Sequence, residues 1–261
     1  MIKYNRCPIC GSESIKLLYQ GNVIGNSSKG YSDVIKNNSA IKKYVKRTYS
    51  VVVKYCLDCF HGFQSEVFSP EEELEFHRSY FADGGESWIF DYYSNVDILV
   101  KEIKIIRNIT SFKNILDVGA SQGEFCFLLK ALHITPTAFD LCTKTNKYLS
   151  DNNIECFSSI GGINRKFDVI RVSHVLSHIQ NDVGEFVRNL TDLLNIHGII
   201  YFVDHKLNIL DLSVIKSPLL HTNIFSEKSI SLLIPDCLEE VQVQDFNEDY
   251  LLFKCYRRKC V

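Results

Sequence analysis

Ile115-Leu116-Asp117-Val118-Gly119-Ala120-Ser121-Gln122-Gly123-Glu124-Phe125 decides the fold. An apolar run ends in Asp-x-Gly-x-x-x-Gly and passes directly into an amphipathic segment, EFCFLLKALH. The pattern predicts a strand, a glycine turn and a helix. Such a turn lets the backbone approach a ligand closely, at the carboxyl end of a strand and at a helix N-terminus. Taken alone it is a weak signal, and a plain tight strand-to-helix turn is the alternative reading.

The segments downstream repeat the alternation. TPTAFDL, IECF, FDVIRVSH and GIIYFVDH read as strands, with helices KTNKYLSDN, VGEFVRNLTDLLN and SEKSISLLI around them. EEVQVQDF and DYLLFKCYR read as a terminal hairpin. Strands alternating with helices imply an α/β domain, with a mostly parallel sheet covered on both faces. Upstream, Ser69-Pro70-Glu71-Glu72 is a helix start, with a Ser cap, Pro at the first position and acids in the first turn. The expected organisation is a small module over residues 1–68, a helical linker or lid over 69–112, and the α/β domain over 113–261.

Bulk properties narrow the function classes. The 261 residues carry a formal net charge of -2, which argues against a general nucleic-acid binder. No apolar run approaches the roughly 18–20 residues a membrane span needs. The N-terminus MIKYNRCPICG has no apolar signal-peptide core, so a cytoplasmic location is expected. Among the ten cysteines, Cys7-Pro8-Ile9-Cys10 and Cys56-Leu57-Asp58-Cys59 form two CxxC pairs. Two such pairs supply the four thiolates of a tetrahedral, structural Zn²⁺ site; redox CxxC and unliganded thiols are the alternatives. The remaining six (Cys126, Cys142, Cys156, Cys237, Cys255, Cys260) read as buried small hydrophobes. Between the pairs, residues 29–54 hold seven basic side chains.

Several of these segments together resemble class I S-adenosylmethionine-dependent methyltransferases. DVGASQGEF resembles their first motif, and Asp140 resembles the acidic ligand of the cofactor ribose. FDVIRVSHVLSHI and LLNIHGIIYFV are similar to two later segments of many small-molecule members. The resemblance implies a Rossmann-like, seven-stranded sheet whose last hairpin makes one strand antiparallel. It also implies S-adenosylmethionine as cofactor, bound by Asp117, Gly119, Ala120, Ser121, Gly123, Asp140, Leu141, Ile160 and Ser173. Three positions depart from the family pattern. Ser121 replaces a glycine, a change its small size makes tolerable; Ser177 replaces an acid; and His197 replaces a turn glycine. A nicotinamide dehydrogenase is the competitor on this fold, but it prefers G-x-G-x-x-G, which this turn lacks.

The CxxC…CxxC module ahead of such a domain resembles the N-terminal zinc module of sugar methyltransferases. There it helps form the substrate side of the cleft, with aromatics nearby; here residues 77–81, Trp88, Tyr92 and Tyr93 fall at that place. Those enzymes carry a further C-terminal domain without counterpart in this sequence, so C-methylation carries over only weakly.

Methyl transfer to an alcohol needs a proton acceptor at the carboxyl end of the sheet. His178 and His221, then His174, are the candidate bases, with Asp204 and His205 nearby at a strand end. The pair His174/His178 sits at i, i+4 on an expected helical turn but lacks the Glu of a metalloprotease motif. The expected activity is O-methylation of a sugar, nucleotide-linked sugar or cell-surface precursor, with residues 29–54 available to substrate phosphates. The alternatives are an RNA methyltransferase carrying a zinc module and a binding module without turnover.

Overall fold

The structure is a computed structural model that describes residues 1–22, 50–83, 96–207, 221–243 and 251–260. Trp88, Tyr92, Tyr93 and all of the basic stretch except its last residues lie outside the described residues.

Seven strands form the main sheet: β6 (Asn114–Val118), β7 (Thr135–Phe139), β8 (Glu155–Phe157), β9 (Phe167–Ser173), β10 (Leu194–His205), β12 (Leu238–Val241) and β13 (Leu251–Arg258). Their order is β12-β13-β10-β9-β6-β7-β8. β6 pairs in parallel with β7 and β9, and β10 pairs in parallel with β9. β13 alone runs antiparallel, between β10 and β12. This is the Rossmann-like methyltransferase sheet, with the strand exchange at β6–β9 that opens a crevice at the carboxyl ends. Helices α2 (Val96–Ile109), α3 (Glu124–Ala131), α4 (Thr143–Asp151) and α5 (Val183–Asp192) cover it. Two apolar layers result. One joins β6, β9 and β10 to α5 through Leu116, Ile170, Val187 and Phe202. The other joins the opposite face to α2 and α3 through Ile103, Ile106, Phe125, Leu129 and Tyr201. Central strands buried on both faces explain why ILDV and VIRV read as continuous apolar runs rather than alternating ones.

The N-terminal module is built from β1 (Ile2–Lys3), β2 (Ile15–Asn22), β3 (Ser50–Cys56), β4 (Gly62–Gln64) and β5 (Glu66–Val67). Its four-stranded sheet has the order β11-β4-β3-β2, and β11 is Asn223–Ile224, which follows β10 in the chain. The boundary expected at residue 68 therefore leaves one strand of this sheet behind. Helix α1 (Pro70–Asp83) starts where Ser69 predicts. The Ser69 amide donates to Glu72 Oε2 at 2.9 Å, and the Glu72 amide donates back to Ser69 Oγ at 3.4 Å. That reciprocal pair satisfies two backbone donors at the helix entrance.

The extra cysteines divide. Cys126, Cys142 and Cys255 are buried as expected, Cys156 and Cys237 are half-buried, and Cys260 is exposed with its Sγ 3.3 Å from His197 Nε2. Cys260 lies two residues beyond the end of β13, outside the strand that buries Cys255.

Candidate active site

The glycine turn carries three residues in the left-handed region: Gly119 (φ +73°), Ser121 (φ +49°) and Gly123 (φ +80°). Small size is therefore not what Ser121 needs. It must adopt a backbone conformation that favours glycine, at a cost of about 1–2 kcal/mol. One oxygen of Asp140 helps hold it there, accepting from the Ser121 amide at 2.9 Å. The other accepts from the Cys142 amide at 2.8 Å. Asp140 thus joins the glycine turn to the end of β7 while staying partly exposed. Burial pushes its pKa up, against the two amides that favour the charged form.

Asp117 sits differently. Its carboxylate is buried, and it accepts from Arg171 Nη1 at 2.9 Å and faces Cys126 Sγ at 3.5 Å. Arg171 also grips Glu102, with Nε 2.7 Å from Oε2 and Nη2 3.2 Å from Oε1. Tyr201 donates its hydroxyl to the same carboxylate at 3.1 Å. Of the other expected cofactor residues, Ser173 is buried at the end of β9, Ala120 is buried in the turn, and Leu141 and Ile160 pack half-buried against the main core.

Gly119 is closed over by the next segment. A Cβ built there would lie 2.3 Å from Val175 Cγ2, so the turn that bears His174 and His178 rests directly on the glycine turn. Gly119→Ala is expected to lose about 2–4 kcal/mol from the left-handed φ and the clash together, read as a lower denaturant midpoint. An unchanged midpoint would mean that Val175 moves away freely.

HVLSH is not the α-helical turn its spacing suggests. His174 takes φ +53°, and only Leu176–His178 forms a short 3-10 turn. The two imidazoles consequently meet different partners. His178 packs on His221 (ring centroids 4.4 Å) and lies 6.4 Å from His77; His174 packs on His205 at 4.9 Å; and His205 meets His221 at 5.2 Å. Five histidines from α1, the turn after β9, the end of β10 and the approach to β11 thus form one continuous cluster. Burial lowers the pKa of His174 to about 3 and of His77 to about 4. Burial, then His178, His205 and His174, push that of His221 down as well. At neutral pH these three rings are held in the neutral form. His221 Nδ1 is buried without a hydrogen-bond partner among the described residues. Buried Asp204 fixes the turn from behind, accepting from the Ser177 amide at 3.0 Å.

The two cysteine pairs converge. Their four Sγ atoms lie within 4.8 Å of one another, with Cys7–Cys59 and Cys10–Cys56 both at 3.5 Å. A tetrahedral ion with Zn–S of about 2.3 Å sets S–S near 3.8 Å, whereas a disulfide needs about 2.05 Å, so the set fits a metal and not a bridge. The knuckles match locally too. Gly11 (φ +73°) and Phe60 (φ +59°) follow the pairs in left-handed conformation, and their amides return to the Cys7 and Cys56 carbonyls. Hydrogen bonding to Cys59 lowers the Cys7 pKa to about 5 and raises that of Cys59.

The methyltransferase-domain family matches residues 93–233, more than half of the chain, and the chain belongs to that family. Similar solved structures agree in fold. The N-methyltransferase NodS from Bradyrhizobium japonicum WM9, in complex with S-adenosyl-L-homocysteine, is 18% identical over 72% of this chain and 97% of its own, with a TM-score of 0.52. The 1,6-didemethyltoxoflavin-N1-methyltransferase of Burkholderia thailandensis is 14% identical over 79% and 99% (TM-score 0.54). The magnesium protoporphyrin IX methyltransferase of Synechocystis PCC 6803 is 14% identical over 72% and 100% (TM-score 0.56). A search of curated proteins returned no match.

Arg171 and Glu102 were not among the expected site residues; His205 was expected only as a neighbour of the candidate bases, and His77 only within the stretch 77–81 beside the cleft. A lone arginine inside the apolar run DVIRVS was the one available signal for Arg171. The convergence of His77 and His205 depends on elements far apart in sequence.

Proposed function

We propose that the chain is an S-adenosylmethionine-dependent methyltransferase acting on a small molecule, with O-methylation of a sugar or nucleotide-linked sugar as the reaction. The histidine cluster carries the reading. A hydroxyl acceptor needs a base at the point of transfer, and this recess offers several neutral imidazoles and no free lysine or arginine among its named members. When bound, the cofactor supplies a methyl group on a sulfonium sulfur, already activated for in-line displacement. Asp140 has lone pairs left beyond its two amide contacts, and these would receive ribose hydroxyls. Gly119, Ala120, Ser121 and Gly123 would bring backbone against the cofactor, with Leu141, Ile160 and Ser173 beside it and Asp117 bracing the turn from below. Burial pushes the pKa of Asp140 and Glu124 up, and a cationic cofactor beside them would favour their charged forms where a neutral product would not. His178 and His221, with His174 behind them, would take the acceptor proton. Zn²⁺ on Cys7, Cys10, Cys56 and Cys59 would be structural, since four thiolates leave no open position. The sugar reading rests on the likeness of that module to sugar methyltransferases.

Calorimetry with S-adenosylmethionine tests the cofactor. Asp140→Ala is expected to weaken binding by about 10–100-fold, the worth of losing charge-assisted hydrogen bonds. Unaltered affinity would remove Asp140 from the site. Radiolabelled transfer to a nucleotide-sugar panel tests the substrate; labelling only of amines would sink the O-methylation reading.

A further inference from the structure

The segment that carries His221 is held by the cysteine module. β11 pairs antiparallel with β4, matching Asn223 with Phe63 and Ile224 with Gly62. The Gln64 amide donates to the Thr222 carbonyl at 2.9 Å, and Gln64 Nε2 donates to the His221 carbonyl itself at 3.1 Å. Asn223 Nδ2 donates to the Ile179 carbonyl at 2.6 Å, which fixes the amide orientation and turns Oδ1 toward His61 Nε2 at 3.0 Å. His61 is fully buried, packed on Phe225 with ring centroids 5.0 Å apart. Ser226 Oγ donates to the carbonyl of Cys59 at 2.8 Å. On its other side the strap meets the histidine turn, with the Thr222 amide donating to the Ser177 carbonyl at 2.8 Å.

Every module residue in this set lies within five positions of Cys59. The knuckle itself closes on His61, since the Cys56 amide donates to the His61 carbonyl at 2.9 Å. None of the bonds reaches the glycine turn or Asp140.

We propose that His61, Gln64 and Asn223 are positioning residues for His221, and that a divalent metal on the four cysteines is what holds His61 and Gln64 in place. The metal thereby acts on the acceptor side of the cleft and leaves the cofactor side alone. This rests on the role proposed above for the histidine cluster, but its test does not depend on turnover.

The experiment compares the full chain loaded with Zn²⁺ and stripped by chelation, using hydrogen exchange without any acceptor. Amides of residues 221–226 are expected to exchange about tenfold faster in the stripped protein, while those of 115–124 keep their protection. Affinity for S-adenosylhomocysteine should stay within about twofold. In the Zn²⁺-loaded protein, His61→Leu should reproduce the faster exchange at 221–226 with the metal retained. His61→Gln, which keeps a donor near the Nε2 position, should restore protection. Unchanged exchange at 221–226 after stripping overturns the proposal. So does equal acceleration at 115–124, which would mean general loosening. If these results hold and His221→Gln still turns over at the parent rate, the positioning stands and the catalytic reading fails.

Discussion

Arg171→Met is expected to lower the melting temperature by about 6–20 °C, the equivalent of about 3–5 kcal/mol for breaking a buried ion network in a chain of this size. Arg171 lies mid-strand in β9 and is 7% exposed, and Glu102 and Asp117 are each 1% exposed. Burial works against the guanidinium charge, but Glu102 and then Asp117 outweigh it and hold its pKa above the ordinary value. Without Arg171, two buried carboxylates would be left, among the described residues, with Tyr201 and the weak Cys126 contact to satisfy them. Arg171→Lys should recover little. The bidentate grip on Glu102 and the third bond to Asp117 need a planar fork, and the guanidinium also lies 4.3 Å from the centre of the Phe125 ring. Combining Arg171→Met with Glu102→Leu and Asp117→Asn should restore much of the loss, because the cost lies in stranded charge and not in volume. Scanning calorimetry decides the matter: a melting temperature for Arg171→Met within about 2 °C of the parent would show the network to be dispensable.

His221→Gln is expected to reduce kcat for a hydroxyl acceptor by about 10²–10⁴-fold, the usual contribution of a positioned base, with cofactor affinity unaffected. His178→Gln should follow, since the two rings pack at 4.4 Å. The pH profile supplies an independent signature. Burial and the neighbouring imidazoles lower the pKa of His221 below its ordinary value and that of His174 to about 3. The neutral, proton-accepting form therefore survives well below pH 6.5, and the acid limb of kcat should lie there too. A limb centred at 6.5 would assign the base to an exposed histidine instead. Stability has a window of its own. His61 and His77 have folded pKa values near 4, depressed by burial from 6.5, so the unfolded chain binds protons first. Their contribution to stability is complete above about pH 6.5 and is lost as pH falls toward 4.

How much of this was legible in the sequence follows from the range over which each feature is encoded. The strand–glycine turn–helix at residues 115–125 is local. Its apolar run, its two glycines and the carboxylate of Asp140 about 20 residues on carry their own meaning, because turn geometry and strand burial act over a few residues. The Ser69 helix start and the two cysteine knuckles are local in the same sense. Even the antiparallel final hairpin is visible, since two strands close in sequence pair with each other.

The tertiary structure decided everything that depends on where separate segments meet. Asp117, read as a cofactor residue, is tied to an arginine 54 positions away. Ser121, read as harmless for its size, is constrained by its φ, which no side-chain property reveals. The HVLSH spacing suggested one helical face, yet the left-handed backbone at His174 sends the two rings to different partners. Strand β11, two residues long, has no periodicity to read, and only the fold shows that it completes the cysteine sheet and carries His221 to its place. The sequence by itself determined the methyltransferase fold and a fourfold thiolate site, because both are written in short-range patterns. Only the tertiary structure joined the two through β11, because pairing across 160 residues is settled by packing and by hydrogen bonds that no local pattern specifies.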